Sequence, residues 1–242
     1  MTAIRLILSS LAVAATARAA EPVLTAESSD REIRVLADGK LFTAYVFKGA
    51  RKPVLYPLTA PDGVTLNREY PVQEINGESH DHPHHRSCWF SHGDVNGIDF
   101  WGETPGTGTV EADGNPEVAT TDGVVTIRAK NKWLAPDGKV VACDEWNMRF
   151  RADGDARSIE FAITLRGESG PLKFGDTKEG AFGVRVPGTV DVDKKLGGKI
   201  VNSDGLVDAA AWGKPAPWVD YFGPVEGETL GIAILNHPSS FR

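Results

Sequence analysis

Five of the six histidines lie between positions 80 and 92, within the stretch GESHDHPHHRSCWFSH that runs from residue 77 to residue 92. An unconstrained imidazole titrates near pH 6.5, and two like charges about 4 Å apart near a protein surface repel by roughly 4 kcal/mol. His80, His82, His84, His85 and His92 therefore cannot all be protonated in one folded site. Some must stay neutral and hydrogen-bonded, some pair with Glu78 or Asp81, or several hold a metal. Each buried polar ring demands a partner, so a sequence shaped by stability alone has no reason to gather five. The cluster marks a site more firmly than it marks a reaction.

Pro83 lacks an N–H and disfavours helical backbone at His82, which predicts a rigid, extended loop. In such a segment His80, His82 and His84 lean to one side and Asp81 and His85 to the other, with same-side neighbours roughly 6.6 Å apart. Two imidazoles at that spacing can converge on one ion or one ligand. Downstream, CWFSHGDVNGIDFWGE alternates aromatic with small and polar residues. Trp89 and Trp101 would wall a cleft, with Asn96 and Asp99 as hydrogen-bonding groups, which suits a polyhydroxylated ligand. Trp and Phe as core under a loop is the plainer reading of the same stretch.

A second cluster, GDTKEGAFGVRVP, offers Lys178, Glu179 and Arg185. Phe182, Val184 and Val186 alternate with Gly183 and Arg185, the pattern of a strand entered from a turn. Set across from the histidines, Glu179 would be a general base and a histidine the acid. Lys178 and Glu179 as a solvated pair is the alternative.

The elements that must position these residues read as strands. Asp-Gly recurs at 38, 62, 113, 122, 137, 153 and 204, a hairpin signal because tight turns need positive φ. Ser158–Arg166 alternates Ile159, Phe161, Ile163 and Leu165 with polar residues, as a half-buried strand should. Val124–Leu134 and Val140–Arg151 should pair around Pro136-Asp137-Gly138, and Glu32–Leu36 with Leu41–Phe47 around Asp38-Gly39. Thr229–Leu235 reads as a closing buried strand, and Pro187–Leu206 as a long excursion off the sheets. With no sustained 3.6-residue apolar period after the leader, the expectation is an all-β fold, an antiparallel β-sandwich of two packed sheets.

Residues 1–19 read as an export signal: Arg5, the apolar run Leu6–Ala15, then Ala17-Arg18-Ala19 as a cleavage site. That predicts a secreted or periplasmic protein, with residues 20–242 as a single β-sandwich domain. No stretch approaches the roughly twenty apolar residues a spanning helix needs, so no membrane span is expected. With 26 Lys and Arg against 33 Asp and Glu, the net charge of −7 argues against nucleic acid as a partner. Cys88 and Cys143 are the only cysteines; export permits a disulfide between them, and two free thiols are the alternative.

The segments YPVQEINGESHDHPHHRSCWFSHGDVNGIDFWGE, GDTKEGAFGVRVP and GIAILNHPSS together resemble the PmoA-like family, automatically named "methane oxygenase PmoA", across nearly the whole chain after the leader. The resemblance implies an exported bacterial β-sandwich akin to the galactose-mutarotase superfamily. It assigns His82, His84, His85, Arg86 and His92 to the histidine motif, and Lys178, Glu179 and Arg185 to the later one. Members of that family continue past Asn236-His237-Pro238, whereas this chain stops at Phe241-Arg242, which is the expectation of a truncated C-terminus. The leading function is a carbohydrate-active enzyme, with His82, His84, His85, His92 and Glu179 as the catalytic set. Arg86, Trp89, Asn96, Asp99, Trp101, Lys178 and Arg185 would bind a small carbohydrate-like ligand, and no cofactor is required. One alternative is a metal-dependent oxygenase, with His82, His84, His85 and His92 as ligands of a divalent metal. Another is a carbohydrate-binding module without turnover.

Overall fold

A computed structural model describes residues 21–240. The expected export signal at 1–19 and the final Phe241-Arg242 lie outside the described residues. In chain order the strands are β1 (Leu24–Ser28), β2 (Glu32–Ala37), β3 (Lys40–Val46), β4 (Val54–Leu55), β5 (Cys88–His92), β6 (Thr109–Ala112) and β7 (Glu117–Thr121). They continue with β8 (Val124–Leu134), β9 (Val140–Asp153), β10 (Ala156–Gly167), β11 (Gly180–Val184), β12 (Lys199–Asn202), β13 (Trp218–Val225) and β14 (Glu228–Leu235). Among the described residues the helices are short 3-10 turns at Val192–Lys194 and Asp208–Ala210. No helix among them is long and apolar enough to cross a membrane.

The all-β, antiparallel sandwich expected from the alternation is what forms. One sheet has six strands in the order β1-β2-β3-β4-β5-β11. A second has the order β10-β9-β8-β6, with β7 also paired to β8. The core between them is built by Ile33, Val35, Tyr45 and Leu55 from the first sheet and Val125, Ile127, Trp146, Met148 and Phe150 from the second. Ile159, Phe161 and Ile163 of β10 pack against it on one parity, as read from the sequence.

Turn chemistry explains the hairpins. Asp38 and Gly39 join β2 to β3 with φ of 49° and 75°, the doubly left-handed pair that a two-residue hairpin turn requires. Asp122-Gly123 repeats this between β7 and β8, with φ of 50° and 72°. Between β8 and β9 the Asp137 carboxylate accepts from Lys139 N–H at 3.0 Å, and Gly138 N–H donates to Ala135 O at 2.8 Å.

Several expectations are corrected. Pro187–Leu206 is not simply an excursion, because Lys199–Asn202 within it pairs with β13, and β13 pairs with β14, as a third sheet. β14 is not a buried strand. It alternates half-buried with exposed residues, because only one of its faces packs, with Ile232 against the core. Cys88 and Cys143 are both free, the first buried in β5 and the second half-exposed on β9.

Candidate functional site

A strand sends alternate side chains to opposite faces, and β5 uses both. Cys88 and Phe90 pack into the core between the large sheets, while Trp89 joins Val54 and Trp101 in a separate apolar cluster. Gly183 sits opposite Trp89 in the β5–β11 ladder. A Cβ there would lie 2.5 Å from Cζ2 of the indole, so the bare glycine makes room for the ring.

The histidine loop stands on this floor. It is not an extended arm: His82 has φ of 47°, and His85 N–H closes a turn onto His82 O at 3.0 Å. The cause is Arg68, a buried side chain beneath the loop. Its guanidinium donates to the carbonyls of Tyr70 (3.2 Å), Ser79 (3.3 Å), Asp81 (2.7 Å) and His82 (2.9 Å) and to Asp81 Oδ1 (2.8 Å). That set of donors overrides the extended preference of the residue before a proline.

The turn brings His82, His84 and His85 to one side instead of distributing them over two. His85 stacks on Trp89 with ring centroids 5.0 Å apart, and His82 stacks on His85 at 4.8 Å. His84 meets His85 edge to face at 4.5 Å. Trp101 Nε1 donates to His85 Nε2 at 3.4 Å. Burial, then the neighbouring His84, Arg185, His82 and Arg68, push His85 from 6.5 down to about 3. The His84 pKa is also lowered, by burial first and by Lys52 and His82, against the opposing pull of Glu103 and Glu179. Both rings are uncharged at neutral pH.

Two partly buried ion-pair groups flank the rings. Arg68 and Arg185 each reach the Asp81 carboxylate at 2.8 Å, and Ser79 Oγ and His82 Nδ1 donate to it at 2.6 Å and 2.5 Å. Burial alone would raise the Asp81 pKa; these four partners hold it well below the usual carboxylate range. On the other side Arg86 Nε and Nη2 each lie 2.9 Å from Glu103 Oε2. Lys52 Nζ donates to Glu103 Oε1 and Trp101 O, each at 2.9 Å. Burial depresses the Lys52 pKa in spite of Glu103. For Glu103, burial would raise the pKa, but Arg86 and Lys52 prevail and lower it.

Residues near position 180 are brought in by β11. Arg185 N–H donates to Ser87 O at 2.7 Å, and Gly93 N–H donates to Glu179 O at 2.8 Å. The Glu179 carboxylate acts on His84. Lys178 remains solvated, 91 % exposed and 3.7 Å from Glu179.

Other expected members stand elsewhere. His92 has the opposite parity to Trp89 on β5; its Nδ1 lies 3.1 Å from Asp94 N and 3.0 Å from Asp94 O, and its ring meets Phe174 edge to face. His80 stacks on Tyr70 and pairs with Glu74. Asn96 accepts from Lys173 N–H at 2.7 Å, and Asp99 Oδ1 accepts from the backbone of Trp101 and Gly102; both carboxyl and amide oxygens hold loops. Trp89 and Trp101 are 2 % and 8 % exposed. They are therefore a floor covered by imidazoles and not the open cleft wall expected. An open hollow of about 430 Å³ lies at the other end of the loop, lined by Glu74, Ile75, Asn76, Gly77, Glu78 and His80.

The alternative metal set of His82, His84, His85 and His92 does not converge. Among the described residues no group of three or more His, Cys, Asp or Glu side chains is placed to hold a metal ion. Stacked rings turn their faces to each other, and His82 Nδ1 and His85 Nε2 already serve Asp81 and Trp101. Sequence reasoning missed Arg68 and Lys52, lone cations outside any motif, and buried Arg or Lys is rare enough that only folding exposes their importance.

The fold and this face define an antiparallel β-sandwich protein with a candidate site of clustered histidines on an indole floor. The chain belongs to the family of unknown function DUF6807, whose model matches residues 32–242. No curated protein and no solved structure matches it.

Proposed function

We propose that the chain is an exported, PmoA-like, carbohydrate-active enzyme whose sandwich is of the galactose-mutarotase kind. The observation that carries this reading is the packing of the His82, His84 and His85 rings over Trp89 on one half-open face, with burial keeping His84 uncharged. A neutral imidazole is a proton acceptor at pH 7, so in this reading His84 is the base in place of Glu179. His84 takes a proton from a sugar hydroxyl or carbon, and the Glu179 carboxylate steadies the imidazolium until the proton is returned to a second sugar atom. His85 acts through position: pinned between Trp89 and Trp101, it sets the tilt of its neighbours. The His82 and His84 rings, not the indoles, would meet the sugar.

The test is a screen of mutarotation, epimerisation, elimination and hydrolysis on a sugar panel, run on the chain and on His84→Gln and Glu179→Gln. General acid–base catalysis contributes on the order of 10²-fold or more, so either substitution should lower kcat by that factor with KM little changed. A binding module would instead lose affinity alone, and that outcome, or the absence of turnover throughout the panel, removes the enzymatic reading. The kcat/KM profile of an active chain should fall only at a pH below the ordinary histidine range, because the His84 pKa is lowered.

A further inference from the structure

Two carboxylates beside the rings each take two cations. Asp81 takes Arg68 and Arg185, and Glu103 takes Lys52 and Arg86. Glu78, the remaining carboxylate facing Arg68, is turned to the backbone amides of Glu69 and Tyr70 at 2.7–3.0 Å. Glu179 stands near the same rings with only the exposed Lys178 beside it, so what this face offers an anion is unused N–H donors and not a surplus of charge.

The two outer guanidiniums also have donors to spare. Arg185 gives Nη2 to Asp81, and among the described residues its Nε and Nη1 meet no acceptor, with the side chain 22 % exposed. Arg86 gives Nε and Nη2 to Glu103; its Nη1 is likewise free among the described residues, with the side chain 25 % exposed. A half-buried guanidinium with unused N–H groups binds an oxyanion through charge-assisted hydrogen bonds. Because Asp81 anchors Arg185 and the backbone at 185 is tied to Ser87 and Arg68, little ordering remains to be done on binding.

Resting on the carbohydrate reading above, we infer that the ligand of this face is an acidic sugar, its oxyanion held by the free donors of Arg185 beside His82 and His85. The oxyanion is the carboxylate of a uronate or the sulfate of a sugar ester. A neutral sugar would offer those donors only hydroxyl oxygens, without the charge that strengthens the bond.

The experiment titrates the chain with an oligo-uronate, a sulfated oligosaccharide and the matching neutral oligosaccharide, by calorimetry at low and high salt. At least one acidic ligand should bind about tenfold or more tighter than the neutral one, the worth of one charged hydrogen bond, and the advantage should shrink in high salt. The uronate and sulfate arms tell which oxyanion is taken. Arg185→Gln should abolish the preference and Arg185→Lys should keep part of it. The wild-type comparison alone decides the matter if the variants do not fold. Equal or tighter binding of the neutral sugar, or a preference intact in Arg185→Gln, overturns the inference while leaving the carbohydrate reading standing. Failure of every sugar to bind sinks both.

Discussion

Arg68 sits 2 % exposed under a loop whose carbonyls it collects, and a guanidinium is suited to that because its N–H groups fan out in one plane. Replacing it with methionine would leave the carbonyl oxygens of Tyr70, Ser79 and His82 without this donor and take from Asp81 one of its two arginines. Leaving a buried acceptor without its donor costs about 1–3 kcal/mol, so Arg68→Met should lower the unfolding free energy measured in urea by about that much or more. Arg68→Lys should recover little, since one ammonium cannot span Tyr70, Ser79, Asp81 and His82 together. If both variants unfold like the parent, the loop is held by something else. The histidine motif was legible from residue types alone, because rings of that kind are seldom gathered without a use. The direction of each ring was not. It follows from Arg68, a residue well before the motif, and period-two reasoning put His85 on the wrong side.

At the scale of elements, β5 and β11 carry the site between them. The Gly183 Cβ position falls 2.5 Å from the Trp89 ring, and overpacking of that kind costs typically 1–3 kcal/mol. Gly183→Ala should therefore destabilise the chain by about that much and shift Trp89 fluorescence as the indole moves from under His85. Gly39→Ala makes a useful contrast, since nothing lies within 4 Å of its Cβ position but φ is +75°. Its penalty, about 1 kcal/mol, should leave the fluorescence alone. The hairpins at Asp38-Gly39 and around Asp137-Gly138 could be read in advance because strand alternation and turn residues agree there. The third sheet could not, since β12 is short and its partner β13 carries Pro224 and Gly223. A Glu226-Gly227 turn, with φ of 50° and 90°, was the overlooked signal for the β13–β14 hairpin.

For the whole molecule, the telling group is Asp144, buried inside the sandwich, where its carboxylate accepts from Asn131 Nδ2 and Trp133 Nε1, each at 2.7 Å. Burial raises it from 3.8 to about 6, against the pull of Trp133, Asn131 and Trp146. A carboxylate raised on folding contributes stability that is full below its unfolded value and is lost as pH climbs through 6; a shift of about two units amounts to roughly 3 kcal/mol. His85 works the other way. Its lowered pKa means stability present at neutral pH and lost as pH falls below 6.5. In urea titrations the parent should therefore gain stability relative to Asp144→Asn between pH 7 and pH 4. A constant difference across that range would show that Asp144 does not titrate there. The alternation of β9 sets Asp144 on the inward parity of Trp146, Met148 and Phe150, but its donors Asn131 and Trp133 are visible only once the register of β8 and β9 is known.

The division of labour along β5 has an evolutionary corollary. Inward residues such as Cys88 and Phe90 answer to the fold, whereas the side chains gathered over Trp89 rest on the sheet from outside. Substitutions in the latter layer leave the inward face of β5 untouched, so the turn at His82–His85 can change with little disturbance to the core that Cys88 and Phe90 help to build.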